Sequence, residues 1–329
     1  MRLSKDFFYT IKENIADEDS TSGRLLVKSG MIKKIGNGIY AKMPLGEKTA
    51  KNIEKIVRKH MNEAGASEVR MPSLLPMEVF EKTGRKNAFG PSMFKLKDRY
   101  NRDYALGPTH EELFAISALS KVKSYRDLHF TTYQIGPKFR DEMRPRLGLI
   151  RTREFTMKDA YSFDKDLEGL DESYKKMFEA YHKIFQEIGL DYTVVRADTG
   201  LMGGLLSEEF QAITNIGEDV LVMCDKCDFS SNMEISPNAT KEIDNEEEKE
   251  LQLVETVNQH TIEEVCKFLN LDIKKTVKAM LMNIDGKLVI LFIRGDRELN
   301  ETKVHKILGA SEMGYANDEI IATSNPVPG

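Results

Sequence analysis

The chain has 329 residues, a formal net charge of −5, 40% hydrophobic and 31% charged residues, and three cysteines. That length predicts two domains or three, with ample material for a core, and the acid excess excludes nucleic-acid binding by bulk positive charge while leaving room for local basic patches. Nothing in the sequence approaches a membrane span, the start MRLSKDFFYTIKEN lacks an apolar signal core, and three cysteines make no disulfide framework, so a cytoplasmic, reduced protein without a membrane partner is expected.

Residues 1–45 read as turns (SG, GNG, MPLG) between short apolar pieces. Residues 47–64 follow as an amphipathic helix, with Ile53, Ile56, Val57, His60 and Met61 at three- and four-residue spacing and Gly65 at its C-terminus. SEVRMPSLLP reads as extended because Pro72 and Pro76 disfavour helix. GPTHEELFAISALSKV reads as a loop entering a helix, and DLHFTTYQIGPKFR, rich in β-branched and aromatic residues, as a strand. Residues 171–188 form a helix with Tyr174, Met177, Phe178, Tyr181, Ile184, Phe185 and Ile188 on one face, ended by Gly189.

Composition changes at Cys224, and a polar stretch ending in the acidic run 246–248 reads as a solvated linker. The organisation predicted is therefore one domain over 1–223, a linker with a CxxC turn over 224–250, and a new unit over 251–329. In that unit Thr261 and Glu264 make a capping-box pattern. VKAMLMNIDGKLVILFIRG reads as two strands joined by Asp285-Gly286, a hairpin signal, and NETKVHKILG as a helix. No repeat, low-complexity tract or glycine-rich nucleotide loop occurs. Cys224 and Cys227 form a single CxxC; without a second pair it reads as a turn with two free thiols, and no metal site is expected.

The stretch FRDEMRPRLGLIRTREFTMKDAYSF, residues 139–163, concentrates five arginines and reads as strand, loop, strand, with Pro145 and Gly148 in the loop. Alternation puts Arg153, Phe155, Met157 and Asp159 on one face of the return strand. Guanidinium and aromatic ring on one sheet face suit a nucleotide, the first for phosphate and the second for the base. A salt-bridged, solvent-facing hairpin is the other reading of the same residues.

This stretch resembles the second signature motif of class II aminoacyl-tRNA synthetases, in the form found in bacterial-type prolyl-tRNA synthetases. GASEVRMPSLLP, with Pro72, resembles the first class II motif; GPTHEE (107–112) resembles the loop that reads the amino acid. GLMGGLLSEEF (200–210) resembles the glycine-rich strand and turn flooring the amino-acid pocket. The fold implied is α/β (α+β): a six-stranded antiparallel class II sheet flanked by helices, followed by part of an α/β editing domain. The activity implied is ATP-dependent joining of proline to tRNA(Pro), with hydrolytic editing of mischarged alanyl-tRNA(Pro). ATP with Mg2+ enters as a substrate complex and no tightly bound cofactor is expected; the implied partners are tRNA(Pro), proline, ATP and a second copy of the chain, paired through the first motif.

By resemblance, Arg140 bridges the amino-acid carboxylate and the α-phosphate, a cationic fork between two anions that repel. Glu142 binds the adenine amino group or orients Arg140, Arg151 lies near the β- and γ-phosphates, and Phe155 stacks on adenine. Arg144 and Arg146 contact tRNA or are plain surface charge. Proline's secondary ammonium has two N–H donors, which Thr109 and Glu111 would accept; apart from the family, Glu111 reads equally as a first-turn acid favoured by the helix dipole. His110 reads as a local structural residue. Gly203, Ser207 and Phe210 are expected to line or support the pocket, and Glu208 stands where many relatives have histidine, which leaves the pocket lining open. A proline pocket excludes alanine poorly by size, about 1–3 kcal/mol per methylene, so an editing site is the physical remedy. IKKTVKAMLMNIDGKLVILFIRGDRELNETKVHKIL resembles the first half of the inserted editing domain, with Lys278 as its pocket lysine; a strand-edge lysine that blunts pairing is the other reading.

Against the family pattern, the third class II motif, the rest of the editing domain and the anticodon-binding domain are missing, which predicts an N-terminal portion of weak or no activity. The alternatives are a class II synthetase for threonine or serine, opposed by GPTHEE and the editing-like segment, and a non-catalytic paralogue, opposed by Arg140, Glu142, Thr109 and Glu111 all being present.

Overall fold

The computed structural model describes residues 5–13, 15, 18–199, 206–237, 247, 250–257, 259, 261–310 and 313–321. The chain divides into two compact units, one of Met1–Val195 with Gly200–Gly203 and Glu209–Asp219, the other of Arg196–Thr199, Gly204–Glu208 and Val220–Gly329. No helix among the described residues is long and apolar enough to cross a membrane.

In the first unit, a helix that the sequence reading passes over opens the fold: α1 (Thr21–Lys28). Its eight residues are too few for a clear period, but the Ser20 hydroxyl accepts from the Gly23 N–H at 3.0 Å and so caps it. A hairpin follows, β1 (Ile32–Gly36) with β2 (Ile39–Lys42). Helix α2 (Pro44–Glu63) starts on Pro44, whose missing N–H costs nothing at a helix start, and buries Met61 and His60. It is followed by β3 (Ser67–Glu68), β4 (Leu74–Pro76), α3 (Met77–Lys82), α4 (Arg85–Phe89), β5 (Lys95–Lys97), β6 (Asp103–Leu106) and α5 (Glu111–Lys121). Then come β7 (Phe130–Phe139), β8 (Glu154–Phe163) and α6 (Leu167–Ile188). Helix α6 begins four residues before the expected position because the Asp166 carboxylate accepts from the Gly169 N–H at 3.0 Å; Gly189, at φ 80°, ends it as expected. Next in the chain are β9 (Tyr192–Arg196) and β10 (Glu208–Ala212), which lie side by side.

The core of this unit has two parts. Met61, Ala66, Tyr133 and Ile135 pack with Val57, Met177 and Tyr181, so α2 and α6 cover one face of β7 and β8. Leu75, Met77, Phe80, Phe89, Met93 and Ala105 fill the space among α3, α4 and the β4-β6-β5 sheet. Each Leu, Ile, Phe or Met among them, fully buried, contributes about 1.5–3 kcal/mol. The six-stranded sheet implied by the resemblance appears among the described residues as separate ladders, β3-β7-β8 and β4-β6-β5. After Glu68 the chain leaves the first ladder, since Met71 gives its N–H to the Gln134 side chain at 3.1 Å and Pro72 has none to give.

The second unit holds β11 (Leu221–Met223) paired with β12 (Ser230–Asn232), then α7 (Ile262–Leu269), which has the expected capping box. Strands β13 (Val277–Ile284) and β14 (Lys287–Arg294) pair along their whole length. Asp285 and Gly286 both take positive φ, 49° and 80°, as a two-residue hairpin turn requires. Helix α8 (Glu301–Leu308), β15 (Met313–Tyr315) and α9 (Asp318–Ile321) complete the described chain. Met282, Ile284 and Ala310 are buried, with Val289, Leu291 and Val304 against them.

Candidate active site

Strands β7 and β8 run in unbroken antiparallel register from Phe130 opposite Phe163 to Phe139 opposite Glu154. Directly paired residues share a face, so Gln134, Gly136 and Lys138 stand with Asp159, Met157 and Phe155. Arg140 extends this row, its N–H bonded to the Arg153 carbonyl at 2.9 Å. Its guanidinium lies 5.4 Å from the centre of the Phe155 ring, and its buried Nε has no hydrogen-bond partner among the described residues. Burial pulls this guanidinium below the usual arginine range, and the Glu142 carboxylate pushes the other way. An unmatched buried donor is rare, and this guanidinium makes no ion pair among the described residues, so its charge is not neutralised within the hairpin.

The other arginines of the hairpin divide differently. Arg151 gives Nε to Glu142 at 2.8 Å and Nη1 to Glu218 at 2.7 Å, and Arg146 also bonds Glu218. The Arg146 bond, then Arg151, holds the Glu218 carboxyl below its ordinary range. Arg153 lies 3.4 Å from Asp141 and donates to the carbonyls of Glu142 and Asn37. Arg144 is exposed. Glu142 therefore braces Arg151 by a hydrogen bond and reaches Arg140 through charge alone.

GPTHEE is anchored beside this row. The Gly107 carbonyl accepts from the Phe139 N–H at 3.1 Å, next to Arg140 in the chain. Any Cβ on Gly107 would stand 2.9 Å from the His110 ring, which explains glycine there. His110 is buried with Nε2 2.9 Å from the Pro72 carbonyl, the structural role expected of it. Thr109 is buried, with Oγ1 3.4 Å from the Tyr161 hydroxyl. Glu111 and Glu112 begin α5, and Arg85 of α4 donates to both, at 2.5 Å and 3.2 Å. The Thr83 hydroxyl donates to Glu112 at 3.1 Å.

Beneath Thr109 lies a buried network. Lys138, fully buried, donates to Asp159 Oδ1 at 2.7 Å, and Asp159 Oδ2 accepts from Gln134 at 3.1 Å and Tyr161 at 3.0 Å. Burial pulls the Lys138 ammonium below the usual lysine range while Asp159 opposes it. Burial pushes the Tyr161 phenol up, so it stays protonated. Sequence reading missed Lys138, Gln134, Tyr161 and Arg85 as site residues. Strand alternation carries a signal for the first two, at even spacing from Arg140; nothing local ties Arg85 to Glu111, which lies 26 residues on.

Elsewhere the expected residues scatter. Gly203 lies outside the described residues. Ser207 is half-buried, its carbonyl accepting from the Ala197 N–H at 3.0 Å. The Phe210 ring packs among Phe178, Tyr181, His182, Phe185 and Tyr192, so it underpins α6. In the second unit, Lys278 on β13 pairs with Glu298 at 3.3 Å. Cys224 and Cys227 are exposed free thiols, and backbone N–H groups of the turn, Lys226 first, hold the Cys224 thiol below its usual range.

The family model described as tRNA synthetase class II core domain (G, H, P, S and T) matches residues 94–262, and that described as aminoacyl-tRNA editing domain matches residues 256–328. The proline–tRNA ligase of Caldicellulosiruptor saccharolyticus is 49% identical over 320 residues, covering 97% of this chain and 56% of that protein. The proline–tRNA ligase of Maridesulfovibrio salexigens is 45% identical over 324 residues, again 97% of this chain and 56% of that protein. The chain thus spans about half the length of the curated relatives it matches. Among solved structures, the prolyl-tRNA synthetase of Cryptosporidium parvum complexed with halofuginone and AMPPNP superimposes with a TM-score of 0.53 at 18% identity, over 62% of this chain and 44% of that one, a likeness of fold. With its core model matched over more than half its length and the second-motif hairpin in place, the chain belongs to the class II tRNA synthetases.

Proposed function

We propose that the first unit carries the proline-activating site of a proline–tRNA ligase, and that the second carries part of a site that hydrolyses alanyl-tRNA(Pro). The observation that carries the reading is Arg140: a half-buried guanidinium over an aromatic ring, with an unmatched Nε, in a chain whose relatives at 45–49% identity bear that activity in their names. In the reaction a carboxylate oxygen of proline attacks the α-phosphorus of ATP and pyrophosphate leaves. The nucleophile is already ionised, so no protein base is needed, and positioning with charge stabilisation does the work. Arg140 holds the two anions together, and Phe155 stacks on the adenine. Glu142 holds Arg151 toward the β- and γ-phosphates, and its free oxygen takes the adenine amino group. Thr109 and Glu111 accept the two N–H bonds of the secondary ammonium, with Arg85 fixing one oxygen of Glu111. Gly203 and Phe210 complete or support that pocket. Arg144 and Arg146 meet the tRNA, and Lys278 serves the editing site.

Magnesium arrives on the triphosphate. It would supply charge that offsets the phosphates, held chiefly by their oxygens and by water. Pairing of two copies through the segment around Pro72, and residence in the cytoplasm, belong to the same proposal.

The test is proline-dependent exchange of pyrophosphate into ATP, on this chain and on one extended to the length of its relatives. Arg140→Ala is expected to lower exchange at least about 100-fold while leaving the circular dichroism spectrum unchanged. Retained turnover would remove Arg140 from its role. A thermal-shift comparison of non-hydrolysable prolyl, threonyl and seryl adenylate analogues separates the amino acids: stabilisation by the threonyl compound alone would sink the proline assignment.

A further inference from the structure

We propose that Tyr161 is a positioning residue that fixes the polarity of the Thr109 hydroxyl, so that the site accepts a ligand ring atom bearing N–H and rejects one that offers only lone pairs. The inference rests on the reading of Thr109 as a contact to the substrate ammonium.

The argument follows protons along a chain of four groups. Lys138 is fully buried, and its ammonium can only donate; it does so to Asp159 Oδ1 at 2.7 Å. Asp159, a carboxylate paired with that ammonium, can only accept. The Tyr161 hydroxyl lies 3.0 Å from Asp159 Oδ2 and has a single proton, which must therefore point at Asp159. That leaves only lone pairs on the Tyr161 oxygen facing Thr109. Thr109 Oγ1, 3.4 Å away, meets them favourably only by donating. Its one proton is then committed, and its remaining capacity is acceptor alone. The separation is at the long end of the hydrogen-bond range, as catalytic contacts often are before ligand binds.

Two observations keep this polarity from relaxing. Thr109 is 5% exposed, so bulk water does not offer its hydroxyl another orientation. The Phe114 ring packs on the Tyr161 ring with centroids 4.4 Å apart, which holds the phenol in place. Glu111, the other proposed contact, is likewise an acceptor. Two acceptors suit a secondary ammonium with two N–H donors. A ring oxygen in the same position would set lone pair against lone pair and leave buried polar groups unmatched, the situation in which hydrogen-bonding sites discriminate most strongly.

The test compares L-proline with (S)-tetrahydrofuran-2-carboxylate, its ring-oxygen analogue, by isothermal titration of the protein. In Tyr161→Phe the hydroxyl of Thr109 loses its acceptor and is free to turn its proton toward the ligand. Proline affinity is expected to fall about tenfold while the analogue binds unchanged or better, so that selectivity drops by at least about tenfold. Added to Thr109→Val, Tyr161→Phe should change selectivity by less than about twofold, because the two act as one unit. Parallel weakening of both ligands, or the same loss of selectivity in the Thr109→Val background, would mean that Tyr161 only shapes the pocket and would overturn the proposal. Thr109→Val alone, isosteric and without the hydroxyl, gives a reading that survives any misfolding of Tyr161→Phe: its selectivity should fall likewise, and retained selectivity overturns the proposal. Failure of the unmodified protein to bind proline would remove the reading of the whole site, whereas proline binding with undiminished selectivity in Tyr161→Phe removes only the polarity step.

Discussion

His110 is 2% exposed, gives its Nε2 proton to the Pro72 carbonyl at 2.9 Å, and has a buried Nδ1 without a partner among the described residues. Protonation would put a second N–H where nothing accepts it. Burial first, then the nearby Lys138 charge, pull its pKa below the ordinary histidine value. The unfolded chain protonates this residue near about pH 6.5, the folded chain only at lower pH. Between the two values the unfolded state binds more protons, so stability rises with pH. The contribution is fully present above the unfolded value and is lost as pH falls from there toward the folded one. We predict that the melting temperature drops more steeply from about pH 7.5 to about pH 5.5 in the unmodified protein than in His110→Gln. Parallel slopes would show that this ring does not carry the pH dependence. Arg85 acts at the same scale: one guanidinium nitrogen bridges the carboxylates of Glu111 and Glu112, two like charges side by side at the start of α5.

Helices α2 and α6 give the β7–β8 platform its stiffness. Met61 and Tyr133 are both fully buried between them, and the Tyr133 hydroxyl donates to Asn62 at 2.8 Å. Arg58 adds a paired bond to Glu68 at 2.7 Å and 2.9 Å, but at the surface such a pair contributes little. Packing therefore dominates the attachment. Met61→Ala is expected to lower stability by about 2–5 kcal/mol, the usual range for a large-to-small change in a filled core. Chemical denaturation checks it; a loss below about 1 kcal/mol would show that the neighbours close over the cavity and that the platform is less tightly packed than described. Because Arg140 stands at the open end of β7, beyond Met61 and Tyr133, the same change should affect stability well before the chemistry of a folded molecule.

At the scale of the whole molecule, two units with separate cores invite separate activities. Lys278 pairs with Glu298, which is almost wholly exposed, so that pairing is weak and the ammonium remains available. Lys278→Ala is predicted to slow alanyl-tRNA(Pro) hydrolysis about tenfold or more while sparing proline-dependent pyrophosphate exchange. Both rates are measured on the same preparation, with the chain at its relatives' full length. Loss of exchange instead would mark Lys278 as a structural residue of its strand.

Most elements were legible from local rules. The period of α2 and α6, the capping box at Thr261 and the Asp285-Gly286 turn each depend on residues close in sequence, and each forms as read. The resemblance in residues 139–163 and 107–112 was legible for the same reason, since a motif is a local pattern. Helix α1 escaped because eight residues carry too little periodicity, and what holds it is the Ser20 cap together with the burial of Val27. The partners of the site residues were decided by tertiary structure alone. That Glu142 takes Arg151, that Glu218 takes Arg146 and Arg151, and that Lys138 reaches Thr109 through Asp159 and Tyr161 follow from strand register and loop closure over tens of residues. The sequence by itself determined which charges this protein brings to the hairpin; only the fold decided which are matched within it and that Arg140 keeps an unmatched donor, because burial and register belong to no single segment of the chain.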